Sequence, residues 1–411
     1  MSRAPQREGD QRRMRRSLVL AGVGDGMAAT ALALVAAGLT RDPLAVAAVF
    51  AAQHLPWAVV AMAGRSVWVD ADRRTVLGLG VTLRAVAVAV VGLLTLAGAE
   101  TVLALVVAAL VIGVGEALAD RAESDAEVAG AGSGFDPGLR RDAMVGLAVV
   151  GLPAGGLVYE LAAALPFLLD VGVFALAALA ALSLRTPLPG SPTAGGDPAS
   201  SAGLARGTGV PALAPGTAAV TLVVAVSSAA ASAVLGVLVL FALDDLGLGA
   251  PAFGLLLAGL AGSSALGALA APSVGRVVGL RAGLALALVI SGAGYVAAGL
   301  VGEASRPLVA AVALGAGAGG SMAVAVLGRA LLHLGAGRVV EGPQLLAFHV
   351  RVWGCIPVGA LAGGVAARTL GVPALVVASG LVSLVAAAAS LVIVAGHVLP
   401  VAPVVHREKI G

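Results

Sequence analysis

Gly151-Leu-Pro-Ala-Gly-Gly156 returns later in the chain as Gly359-Ala-Leu-Ala-Gly-Gly364. Setting residue 151 against residue 359 gives an offset of 208 positions. The same offset carries Pro43 onto Pro251, Arg73 onto Arg281 and Arg121 onto Arg329. A register kept without gaps over most of a chain means two tandem copies of one structural unit. Both copies are apolar. Hydrophobic residues make up 59% of the sequence and charged residues 11%, against roughly 25% charged in an ordinary soluble domain. Most of the surface must therefore face something other than water. Two similar apolar halves in series are the ground plan of a secondary transporter.

At about 20 apolar residues per span, the 411 residues hold around twelve helices. Apolar runs broken by Arg, Asp and Pro place them at 17–39, 44–64, 75–97, 101–119, 143–163 and 165–184. In the second half they fall at 217–242, 252–271, 280–301, 307–331, 348–368 and 372–396. The predicted fold is an all-α membrane protein with twelve transmembrane helices in two pseudo-symmetric six-helix bundles. A basic tail (1–16) precedes the first bundle (17–185). A Pro/Gly/Ser/Thr-rich linker (186–215) leads to the second bundle (216–397) and a tail (398–411). The polar stretch 120–142, with Glu123, Asp125, Glu127 and Asp136, reads as a solvated loop.

Six arginines (Arg3, Arg7, Arg12, Arg13, Arg15, Arg16) precede the first span, while the loops on the opposite side hold only Arg41, Arg306 and Arg368. That asymmetry places both termini in the cytoplasm of a multi-pass protein of the cell membrane. The first span is too long for a signal-peptide core and reads as retained. A pI near 9.7 thus reflects orientation, with no nucleic acid implied. Several chemistries are excluded. The single lysine, Lys409, lies in the tail, so a P-loop or Schiff-base lysine is lacking. Cys355 is alone, and the five histidines show no metal-ligand spacing. No enzyme activity, cofactor or metal is expected, and the chain reads as a monomer in the lipid bilayer.

The residues also resemble a family. Ile112-Gly-Val-Gly-Glu-Ala-Leu-Ala-Asp120, Gly151 to Arg185 with Pro166 and Asp170, and Arg351 to Gly364 with Pro357 and Gly359 carry the likeness. Together with Gly24-Asp25 and Gly247 to Gly254, they resemble the major facilitator superfamily, in its twelve-span branch of drug, enterobactin and macrolide exporters. The resemblance implies alternating access and a gating loop between spans two and three, here Gly64, Asp70, Asp72, Arg73 and Arg74. The spacing from glycine to aspartate is stretched relative to the family, and Gly22 stands where the family has Asn.

A charge inside the bilayer costs several kcal/mol in rough terms and asks for a reason. Asp25, His54, Arg84, Glu116 and Asp170 all lie in the first half. The offset lands them on Ala233, Gly262, Gly292, Val324 and Ala378, all neutral. Ion coupling is therefore expected in the first half alone. Asp25 and Arg84 sit at similar depth, which allows either a proton-accepting carboxylate or a permanent ion pair. Glu116 reads as a rim contact or a proton carrier, His54 as a helix contact or a coupling group, and Asp170 as a group near the outer end of its span. Ser227, Ser228 and Ser232 are candidates to offer hydroxyls to a substrate. Gly155, Gly156, Gly363 and Gly364 read as helix-crossing glycines, with or without a rocking motion.

The expected activity is proton-coupled antiport that exports a small, partly hydrophobic molecule. Two other readings stay open: a non-transporting membrane protein that binds a partner or senses a ligand, and an importer on the same fold.

Overall fold

The computed structural model describes residues 4–63, 73–130, 146–182, 213, 215–302, 306–335 and 342–396. Twelve α-helices follow one another: α1 Ala4–Leu39, α2 Pro43–Ala63, α3 Arg73–Leu96, α4 Val102–Gly130, α5 Leu152–Leu161 and α6 Leu165–Leu182 form the first bundle. The second comprises α7 Pro215–Leu240, α8 Ala250–Val278, α9 Leu280–Gly302, α10 Pro307–Gly335, α11 Gly342–Leu370 and α12 Val372–Gly396. Ten of these are long and apolar enough to cross a membrane, and α5 and α6 are shorter apolar helices. The chain is a multi-pass membrane protein. Large side chains such as Leu96, Leu103, Leu161, Leu308, Val277 and Val392 are exposed, as a lipid-facing belt requires. The face on which α1 begins is termed the N-face, and the opposite one the far face.

Local chemistry sets the boundaries. Proline, which lacks the N–H that a first turn leaves unpaired, opens α2, α7 and α10. The backbone N–H of Leu44 donates to the Asp42 carboxylate across 3.2 Å, capping α2. Gly279 (φ 85°) and Gly371 (φ 86°) each join two helices through a single residue, a left-handed conformation that glycine adopts without strain.

Three boundaries differ from the sequence reading. Helix α1 starts at Ala4 instead of residue 17, and α4 continues to Gly130 through the first part of the expected polar loop. Both extensions are rich in Ala, Glu, Gln and Arg, good helix formers that need no membrane. The fifth span is divided, with a π-helical turn over Gly146–Gly151 ahead of α5. Pro153 has no N–H to offer the carbonyl four residues before it, and a widened turn accommodates that loss. Most of the linker 186–215, the tail 398–411 and the loop residues Gly64, Asp70 and Asp72 lie outside the described residues. Arg73 and Arg74 open α3.

The packing repeats as the sequence does. Within the first bundle α1 touches α5 and α6, α2 touches α4, and α3 touches α4 and α6. Adding six to each number gives the pairs of the second bundle: α7 with α11 and α12, α8 with α10, α9 with α10 and α12. The main contacts between bundles, α2 with α11 and α8 with α5, are likewise images of each other.

The repeated glycines make this geometry possible. A Cβ on Gly155 would lie 2.8 Å from the Met27 carbonyl of α1, and one on Gly363 would lie 2.6 Å from the Ala233 Cβ of α7. These two seat α5 and α11 inside their own bundles. Their neighbours face the other bundle: Gly156 meets the Ala250 carbonyl of α8, and Gly364 lies against Leu44 and Ala47 of α2. Both cross-bundle contacts fall on the first turns of α2 and α8, at the far face. Further along α8, Gly259 and Gly262 have open space around them.

Gly156→Ala is expected to lower stability by about 1–3 kcal/mol, the range for overpacking a close contact. Gly262→Ala should leave it unchanged. Thermal unfolding of the two purified variants in one detergent provides the comparison.

Candidate functional site

A cavity of about 410 Å³ lies between the bundles, and its two walls differ in kind. The first bundle supplies every ionisable group that lines it: Asp25 from α1, His54 from α2, Arg84 from α3, and Glu116 and Asp120 from α4. The second contributes Leu235, Gly236, Leu238 and Val239 of α7 with Phe253 and Leu257 of α8.

The Arg84 guanidinium donates from one nitrogen to both oxygens of Asp25, each at 2.7 Å. Arg84 is 4% exposed at its side chain and Asp25 18%, so Asp25 is the partner open to the cavity. Phe174 of α6 lies under the guanidinium, 5.1 Å from ring centre to cation. The side chain needs room to reach this position, and Gly115 gives it: a Cβ there would lie 2.8 Å from the Arg84 Cγ. Gly113 lies against the backbone of Gln53 in α2. The Gly113-Val-Gly115 run therefore admits neighbouring helices.

Glu116 stands in the cavity wall with Asp25 and Arg84, deeper than a rim contact. Its carboxylate accepts a 2.8 Å hydrogen bond from Gln53 Nε2 and another from Trp57. Trp57 in turn stacks on Trp353 of α11, with centroids 5.0 Å apart and planes 13° from parallel. A carboxylate of the first bundle is thus linked through one indole to the second. His54 Nδ1 lies 2.9 Å from the Phe50 carbonyl, an acceptor, so Nδ1 carries the proton and Nε2 is left as the acceptor. The imidazole also stacks on the Phe50 ring at 4.2 Å.

Asp170 is the largest departure from the sequence reading. It is fully buried, with Oδ1 2.5 Å from where a Cβ on Gly24 would stand. Neither of its oxygens accepts a hydrogen bond among the described residues. Counting from the start of its helix places it near the outer rim. However, α6 crosses α1 so that its fifth residue after Leu165 reaches the level of Gly24 and Asp25. The signals in sequence were Gly24, which makes room, and Phe174 one turn on.

The serines also differ from expectation. Ser227, Ser228 and Ser232 do not line the cavity. Ser232 donates to the Ser228 carbonyl across 2.7 Å, and Ser227 is buried. The adjoining face of α7, at Ala229 and Ala233, packs against Gly359 and Gly363 of α11, so α7 turns Leu235 and Val239 to the cavity instead. The second bundle holds no counterpart of the charged cluster. Gly292, at the position matching Arg84, lies 2.7 Å (as a built Cβ) from the Gly380 carbonyl of α12, closing the space that the guanidinium occupies in the first bundle.

Among the described residues, two ion pairs join the bundles on the far face. Arg41 meets Asp244, four residues beyond α7, across 3.3 Å, and Arg368 at the end of α11 meets Asp42 with two guanidinium nitrogens on two oxygens. The hydrogen bonds from Arg368 hold the Asp42 carboxyl below its ordinary range.

The sequence matches no protein-family profile and no curated protein. Solved structures do match. A bacterial homologue of the iron transporter ferroportin, in its inward-facing state, superposes with a TM-score of 0.72 at 16% identity, covering 94% of this chain and 98% of that one. The same homologue in its outward-facing state gives 0.55 at 17% identity, covering 94% and 98%. The nucleoside transporter NupG, as a D323A mutant, gives 0.70 at 13% identity, covering 93% and 99%. The chain has the major facilitator fold. Those neighbours are transporters rather than enzymes, and in this fold the cavity between the two repeats is where a substrate would sit.

Asp25→Asn and Arg84→Gln should each destabilise the protein, by about 3–5 kcal/mol where one partner of a buried pair is left alone. The double variant should be less unstable than the sum of the two, with a coupling of at least about 1 kcal/mol. Chemical denaturation of all four proteins in one detergent closes the cycle, and strict additivity would contradict the pairing.

Proposed function

We propose that this protein is a secondary active transporter that exports a small, partly hydrophobic molecule across the cytoplasmic membrane by alternating access, in exchange for protons. The observation that carries the reading is the two-sided cavity. It lies between the bundles, with Asp25, Glu116 and Asp120 on one wall and aliphatic and aromatic side chains on the other. A weakly cationic, lipophilic molecule satisfies both walls, whereas a phosphate or carboxylate would meet a surplus of like charge.

Orientation is read from charge. The N-face carries the arginine excess and is read as cytoplasmic. Closure of the far face by Gly156, Gly364 and two ion pairs supports a conformation open to the cytoplasm. The higher TM-score to the inward-facing than to the outward-facing ferroportin homologue supports the same conformation. Exchange with the outward state then requires the far-face pairs to part, and the repeated α2–α11 and α5–α8 interfaces are the surfaces on which the bundles rock.

The far-face pair makes a prediction with a definite sign. Asp42 is held below its ordinary value of 3.8, so its contribution is present above that value and lost only as pH falls below it. In a Cys355→Ser background, a cysteine at position 235 in the cavity should react faster with an impermeant thiol reagent in whole cells when Asp42→Asn is added. The ratio between variant and parent should stay flat from about pH 5 to 8.

The transport reading is tested with a lipophilic cationic dye in inverted vesicles under an imposed proton gradient. Gradient-driven uptake is expected in the wild type, with a loss of at least about tenfold in Asp25→Asn, equivalent to about 1.4 kcal/mol. Well-folded protein that moves none of a panel of cationic and neutral dyes would count against export and favour a non-transporting role.

A further inference from the structure

Asp170 is absent from the cavity wall, yet it is a buried acid beside the one ion pair that is there. Around it the structure is closed. Gly24 of α1 touches its carboxylate, Phe174 continues its own helix face, and Arg84 of α3 lies over the Phe174 ring. The charged groups acting on it are Asp25 from α1 and Arg84 from α3. From α5, the remaining helix packed on α6, Tyr159 reaches toward Gly38 and Glu160 is exposed. A carboxylate anion with no hydrogen bond in such a place would forfeit several kcal/mol of solvation in rough terms. Arg84, meanwhile, is engaged with Asp25 through one guanidinium nitrogen.

We propose that Asp170 is a second proton site of the carrier, and that Arg84 passes between Asp25 and Asp170 as the proton passes the other way. In the present state Asp25 is ionised and paired with the guanidinium, and Asp170 holds the proton. In the alternative state the proton of Asp170 has passed to Asp25, which releases Arg84, and the guanidinium pairs with the Asp170 carboxylate. The three side chains hold one proton between them and carry a net charge of zero in both states. The apolar interior therefore never meets an uncompensated ion. Asp25, the partially exposed member, faces the cavity, while Asp170 is sealed behind it. This arrangement separates the site that senses the cavity from the site that stores the proton. It also gives the Gly24-Asp25 pair a physical reason, since any side chain at Gly24 would push Asp170 and Phe174 away from α1.

The inference rests on the proton-coupled reading above, but its test needs no substrate. Protein reconstituted in lipid vesicles at neutral pH is examined by infrared spectroscopy for the carbonyl stretch of protonated carboxyls, as differences between wild type and variants. Asp170→Asn should remove one such carboxyl band. Asp25→Asn, which leaves Asp170 in place, should also remove it, because Arg84 then turns to Asp170 and ionises it. A band unchanged in Asp170→Asn would overturn the assignment. Should that variant fail to fold, Asp25→Asn alone decides: persistence of the wild-type band would refute the exchange. Dye transport lost in both variants with both band losses seen supports the whole scheme. Band losses without any transport in the wild type would leave the proton site standing and remove the exporter.

Discussion

Asp25, Glu116 and Asp170 share the interior of the first bundle with the Arg84 guanidinium, and the rest of the molecule is arranged around that imbalance. Arg84 neutralises Asp25 through two 2.7 Å contacts. Glu116 is held by the amide of Gln53 and the indole of Trp57, and Asp170 accepts no hydrogen bond among the described residues. A membrane interior tolerates such groups only where they are paired, hydrogen-bonded or protonated. One cation cannot pair with all three, and the proposed proton sites lie among them.

The second bundle shows what the same frame looks like without the charge. At the position of Arg84 it has Gly292, packed directly on Gly380, and at that of Asp25 it has Ala233, packed on Gly363. Beside Gly292 stands a neutral hydroxyl cluster, Ser291 with Ser321 at 2.8 Å and Tyr295 3.5 Å from Ser321. One copy of the repeat has become an ionisable site and the other a tightly packed apolar surface. The Trp57–Trp353 stack links the two, because it ties the hydrogen-bonding partner of Glu116 to α11 of the other bundle. In the proposed cycle, a change in the protonation of Glu116 would reach the α2–α11 interface through this stack.

Much of this was legible in the sequence. The offset of 208 positions reappears as a one-to-one match of helix pairs, and each of the twelve expected spans overlaps a helix among the described residues. The residue pattern also brings Asp25, Arg84, His54 and Glu116 into one half, and the structure sets all four around one cavity. What sequence could not supply is rotation and relative height. Ser227, Ser228 and Ser232 are polar residues on an apolar helix, and only the packing of α11 on α7 reveals that they miss the cavity. Asp170 looked peripheral because depth was counted along its own helix, while the crossing of α6 over α1 sets its true level. The helical extensions of α1 and α4 were hidden by their polarity, which marks the membrane boundary but not the end of a helix.

The central claim is that protonation in the first bundle moves the two bundles between a far-face-closed and a far-face-open form. It is tested most directly by distances between spin labels, measured across pH in lipid. One pair is placed at positions 101 and 308 on the far face and another at positions 16 and 277 toward the N-face, all exposed. The account predicts that a pH change lengthens one distance as it shortens the other, and that Asp25→Asn or Asp170→Asn abolishes this response. Distances that stay fixed across pH in the wild type, or that respond unchanged in both variants, would contradict it.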